Sequence, residues 1–153
     1  MERILKGKRT FYLTNNSAKS REQCGEKLAS VAGITARKEQ IICSSSSAAS
    51  YLESIGFDKG GKSKVLVIGQ EGILLELKEA GYTTVKCEDI LADSQARCSI
   101  SEYEEVVVDE SIRAVVAGVD DSFTYRKLCL ASLYLQKDPQ RIFVATNLDV
   151  GGK

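Results

Sequence analysis

Histidine is absent from the 153 residues. Its absence excludes Ser-His-Asp and Cys-His catalysis and any histidine-ligated zinc site. Acid–base work is left to carboxylates, lysines, tyrosines or thiols. Long apolar runs are missing too. None approaches the roughly 20 residues that span a bilayer, so no membrane association is expected. The opening stretch MERILKGKRT lacks the apolar core of a secretory leader. There is no excess of either charge: 21 basic and 21 acidic side chains balance to zero. A general nucleic-acid binder would carry a basic excess, so none is expected as a partner. The five cysteines (Cys24, Cys43, Cys87, Cys98, Cys129) form no C-x-x-C pair. They read as reduced thiols of a cytoplasmic protein, with neither a disulfide framework nor a metal cluster.

What is present is an alternation of strand-like and helix-like patterns with short connections, which predicts an α/β architecture. Arg9–Leu13 is expected as a strand, followed by a helix from an N-cap at Ser17 to Val31, with Gly33 as its stop. Gln40–Cys43 should be a short strand, and Ser46–Ile55 a helix closed by Gly56. The polar, glycine-rich stretch GFDKGGKSK reads as a linker. Beyond it, Val65–Ile68, Thr83–Cys87, Glu105–Val108, Arg113–Val119 and Arg141–Ala145 read as strands. Helices are expected over Gly72–Ala80, with Ile73, Leu74, Leu77 and Ala80 on one face, and over Phe123–Gln136, before the single proline, Pro139.

Three stretches suggest chemistry. Gly56 to Ser63 fits the pattern G-x-x-x-x-G-K-S/T of a phosphate-binding loop, but a helix leads in and a strand leads out. The motif needs the reverse order to aim N–H groups at phosphates, so a solvated linker is the better reading. Asp89 and Asp93 are spaced like a carboxylate pair for a hard cation, yet at i and i+4 on a helix they would repel without one. The stretch TNNSAKS is stronger. It sets four consecutive hydrogen-bonding residues behind the apolar Phe11-Tyr12-Leu13, where a single helix cap would need only one. The C-terminal end of such a strand is where open α/β sheets bind ligands, and a helix start behind it favours an anion.

These residues carry a resemblance. KRTFYLTNNSAKSREQCGEKLASVAGI and IICSSSSAASYL resemble the second motif region of haloacid dehalogenase superfamily phosphatases, in the branch of p-nitrophenyl, phosphoglycolate and pyridoxal phosphate phosphatases. KVLVIGQEGILLELKEAGY, VVAGVDDSFTYRKLCLASLYL and FVATNLD are similar to that branch's inserted cap, in the same order, from about Lys8 to Asp149. The resemblance implies a partial Rossmann-like core joined to an α/β cap. Residues 1–58 would be the core segment, 59–149 the cap and 150–153 a tail. It also implies Mg²⁺ as cofactor, an aspartate nucleophile in a D-x-D motif, and a small phosphorylated metabolite as substrate.

By the same resemblance, Thr14, Asn15 and Asn16 hold the transferring phosphoryl group. Asp120, Asp121, Ser122 and Phe123 face the substrate from the cap, although helix capping by Asp121 or Ser122 is an equally local role for them. The sequence departs from the family in containing no D-x-D, no lysine and acidic motif beyond the cap, and no proline after TNLD. No catalytic residue or metal ligand is therefore assigned within the chain. Two functions are compatible with this: the central portion of a phosphoric monoester hydrolase, inactive alone, or a non-catalytic cap-type interaction module. Homo-oligomer formation is compatible with either.

Overall fold

The computed structural model describes residues 8–91, 103 and 105–148. It has the expected α/β class, with parallel strands throughout. A short unit comes first: strand β1 (Tyr12–Thr14), helix α1 (Arg21–Ala32), a single 3-10 turn (Lys38–Gln40) and strand β2 (Ile41–Cys43), with Leu13 opposite Ile42 in a parallel pair. The chain then enters α2 (Ser44–Ser54), β3 (Lys64–Ile68), α3 (Glu71–Glu79), β4 (Thr83–Lys86), α4 (Cys87–Ile90), β5 (Ile112–Ala117), α5 (Tyr125–Lys137) and β6 (Ile142–Ala145). The second sheet runs β4-β3-β5-β6.

The second sheet is covered on both faces, which explains why residues 65–68 of β3 and 114–117 of β5 read as continuous apolar runs rather than alternating ones. Val65 and Val67 of β3, with Ala114 and Val116 of β5, pack against Leu52 of α2 and Ile73, Leu74 and Leu77 of α3. Their neighbours Leu66, Ile68, Ile112 and Val115 point the other way, onto Cys87, Leu130 and Tyr134. The glycine-rich stretch around residue 58 is exposed and connects two elements of one packed layer. α2 precedes it and β3 follows it, and both contribute to one apolar core.

Several local expectations need correction. The N-cap of α1 is Ser20, not Ser17. Ser20 Oγ accepts from Gln23 N at 3.3 Å and Gln23 Oε1 accepts from Ser20 N at 2.8 Å, a reciprocal capping box that Ser17 has no partner to make. The N-cap of α5 is Thr124, whose hydroxyl accepts from Lys127 N, so neither Asp121 nor Ser122 has that role. Residues 105–108 form no strand. Val106 and Val108 pack onto the Leu130 face of the core while Val107 turns outward, so side-chain burial alone satisfies the alternation. Gly33, Gly56 and Gly81 do end helical segments at positive φ (64°, 70° and 91°), a backbone region glycine enters without strain.

Candidate functional site

The turn after β1 is built from its own side chains. Asn16 N donates to Thr14 Oγ1 at 3.2 Å, and Lys19 N donates to Asn16 Oδ1 at 3.0 Å. Ser44, the first residue of α2, ties the turn to β2: its N–H donates to Asn16 O at 3.2 Å and its hydroxyl to Asn15 Oδ1 at 2.8 Å. Thr14 and Asn16 line a recess of about 240 Å³ together with Lys19, Cys24, Lys27 and Leu28. Leu28, Val31 and Ala32 make much of its wall apolar and Asn15 does not line it, while Lys19 and Lys27 bring positive charge beside Thr14 and Asn16. Burial raises the pKa of the Cys24 thiol, with the neighbouring Cys43 adding to it, so this sulfur is held as the neutral thiol.

The second group of predicted residues lies at the C-terminal edge of the other sheet. Asp120, Asp121 and Ser122 line a cleft of about 590 Å³ with Gly69, Gln70, Lys86, Glu88 and Lys127. Such an edge is the usual ligand position in parallel α/β sheets. Asp120 organises its own loop: Oδ1 accepts from Ser122 N at 2.9 Å and Oδ2 from Lys127 Nζ at 2.7 Å. The Lys127 side chain is only 5% exposed and also meets Glu88 at 2.8 Å. Burial pushes its pKa down, but the hydrogen bonds to Asp120 and Glu88 outweigh this and leave it raised; Lys127 in turn lowers the Glu88 carboxyl. Asp121 is met by the Gln70 amide. Phe123 is exposed and does not line the cleft.

Thr14 and Asn16 therefore share one recess, which Asn15 does not line, and Asp120, Asp121 and Ser122 share another. The two groups occupy separate cavities on adjacent edges, joined where Asn147 Nδ2 donates to Asn15 O at 3.4 Å and Val119 N donates to Ser17 Oγ at 3.0 Å. Sequence reasoning missed Lys19, Lys27, Ser44, Gln70, Lys86 and Lys127. Lys19 lies inside TNNSAKS, and Ser44 opens a serine run whose pattern points only to a helix start. Asp89 caps α4 by accepting from Lys86 N at 2.9 Å, while Asp93 lies outside the described residues. Among the described residues, no three His, Cys, Asp or Glu side chains gather to hold a metal ion.

A family model described as haloacid dehalogenase-like hydrolase matches residues 4–83, more than half of the chain. The chain belongs to the haloacid dehalogenase-like hydrolase family. Curated relatives of this haloacid dehalogenase-like chain include phosphoglycolate phosphatase 1A, chloroplastic, of Arabidopsis thaliana, 40% identical over 94% of this chain and 38% of its own length. Another is the 4-nitrophenylphosphatase of Schizosaccharomyces pombe, 38% identical over 94% of this chain and 46% of its own. A crystal structure of a hypothetical protein from Pyrococcus horikoshii OT3 superposes with a TM-score of 0.70 at 30% identity, covering 94% of this chain and 47% of that one. The chain thus spans less than half the length of these relatives. Among its described residues, no helix is long and apolar enough to cross a membrane.

Proposed function

We propose that this chain is the phosphate-holding turn and the substrate-covering cap of a phosphoric monoester hydrolase of the 4-nitrophenylphosphatase and phosphoglycolate phosphatase kind. The observation that carries the reading is the turn at the C-terminal end of β1. There Thr14 and Asn16 line one recess with Lys19 and Lys27, and Asn15 is bonded to Ser44 beside it. In this reading Thr14, Asn15 and Asn16 grip the equatorial oxygens of a transferring phosphoryl group, stabilising charge that grows in the transition state. Asp120, Asp121 and Ser122 meet the remainder of a small phosphorylated metabolite from the cap side. The cap begins at Ser44 in this proposal, because α2 shares its core with β3 and α3.

The described residues do not fit a Mg²⁺ site, since no carboxylate cluster faces the turn. The reading accordingly takes the aspartate nucleophile and the magnesium ligands from polypeptide other than these residues. The test is the intact mass of the natural protein, with the coding sequence flanking this stretch. A longer polypeptide with a D-x-D motif upstream of Arg9 is expected. A mature protein of 16.7 kDa with no such motif would overturn the hydrolase reading in favour of a non-catalytic module.

A further inference from the structure

The phosphate turn does not end at Asn16. Residues Ser17 to Arg21 continue straight into the C-terminal edge of the second sheet, and the approach is unusually close. A Cβ at Gly72, the second residue of α3, would sit 2.3 Å from the carbonyl carbon of Lys19, 2.5 Å from its nitrogen and 2.6 Å from the carbonyl carbon of Ala18. These are backbone atoms and cannot rotate aside. Glycine is among the poorest helix formers, so its place here follows from contact rather than propensity. Gly72 N donates to Ala18 O at 3.1 Å. Around this point the other bonds converge. The wholly buried Ser17 hydroxyl accepts from Val119 N at 3.0 Å, and Ser45 Oγ donates to Lys19 O at 2.7 Å.

The last contact is ionic. Glu76 of α3 has a side chain only 1% exposed, and it accepts from Arg21 N at 2.6 Å and from Arg21 Nε at 2.8 Å. A carboxylate this deeply buried is tolerable only while both donors are present, so the pair closes firmly or not at all. Three separate elements, α2, α3 and the loop after β5, thus grip four of the five residues Ser17–Arg21.

We propose that Ser17–Arg21 is a latch through which the second sheet sets the conformation of the turn, with Gly72 permitting the close approach and Glu76 fixing it. The turn and the second sheet then move as one body, and loosening any one contact frees the others. What this does for phosphate handling rests on the proposed function above; the latch itself does not. Amide hydrogen exchange on the whole chain, compared with Gly72→Ala and with Ser17→Ala, tests it. In Gly72→Ala the Arg21 and Val119 amides should exchange about tenfold faster or more, while Leu66 and Val115 in the sheet centre keep their protection. In Ser17→Ala the Arg21 amide should also speed up, although its own acceptor, Glu76, is untouched. Should Gly72→Ala fail to fold, Ser17→Ala alone decides. An unchanged Arg21 amide, or equal acceleration at Leu66 and Val115, would overturn the latch. Either result would leave phosphate binding by Thr14–Asn16 to be judged by its own titration.

Discussion

Asp58 and Asp109 illustrate how single carboxylates settle local structure. In the stretch that mimics a nucleotide-binding loop, Asp58 accepts from Gly60 N at 3.0 Å and from Ser63 N at 3.1 Å, and the Gly60 bond leads in lowering its pKa. The carboxylate thereby occupies amides that a phosphate would need, so Lys62→Ala should change nothing in calorimetric titration with ATP, because the wild type should bind none. Asp109 joins Lys64, at the start of β3, to Ser111, before β5. The Ser111 hydroxyl, at 2.6 Å, and the Lys64 ammonium, at 2.9 Å, hold its pKa down to about 2 from the usual 3.8. A depressed carboxyl contributes stability fully above its unfolded value and loses it as pH falls through the folded one. Thermal melts should therefore separate wild type from Asp109→Asn above about pH 4, with the gap closing toward pH 2. A gap that is constant across that range would mean these bonds do not stabilise the charged form. The buried Cys87 thiol, pushed up to about 12 by desolvation and then by Glu88, is inert at neutral pH.

Among the elements, α2 carries the sharpest prediction. It precedes the glycine-rich stretch, yet Leu52 is fully buried against the second sheet. Leu52→Ala should cost about 2–5 kcal/mol, the usual range for a large-to-small change in a core. Urea melts followed by exchange should assign that loss to the sheet containing β3 and β5. A loss confined to β1 and α1 would contradict the packing. Strands and helices with strong periodicity were legible in the sequence: β3, α3, β5 and α5 lie where apolar patterning puts them, within a few residues. Caps and edges were less so. Ser17 and Ser20 are chemically alike, and only Gln23 three residues after Ser20 singles out the true cap. The apolar alternation at 105–108 is real but answers to core packing, which periodicity cannot distinguish from a sheet ladder. The Thr14–Asn16 turn was legible because polar residues exceeded what capping needs. Lys127, Gln70 and Gly72 were not, since their roles arise from contacts some 50 or more residues away, or from a cleft that forms only when the sheet assembles.

At the scale of the molecule, the two strands of the first unit leave Leu13 75% exposed, and Ile42 and Phe11 are exposed beside it. A two-stranded sheet is marginal by itself, so β1 and β2 depend on what packs onto them. The chain as it stands should show no turnover of p-nitrophenyl phosphate with Mg²⁺, because donors at the turn have no nucleophile to assist. Turnover above buffer that persists after rigorous purification would show a catalytic group elsewhere in these residues. Thr14, Asn15 and Asn16 are proposed to form an oxyanion site. Titrating the chain with inorganic phosphate while recording backbone and side-chain amide shifts addresses it directly. Shifts should centre on Thr14, Asn15, Asn16 and Lys19 and vanish in Thr14→Val. No shift at high phosphate, or shifts centred elsewhere and untouched by Thr14→Val, would contradict it.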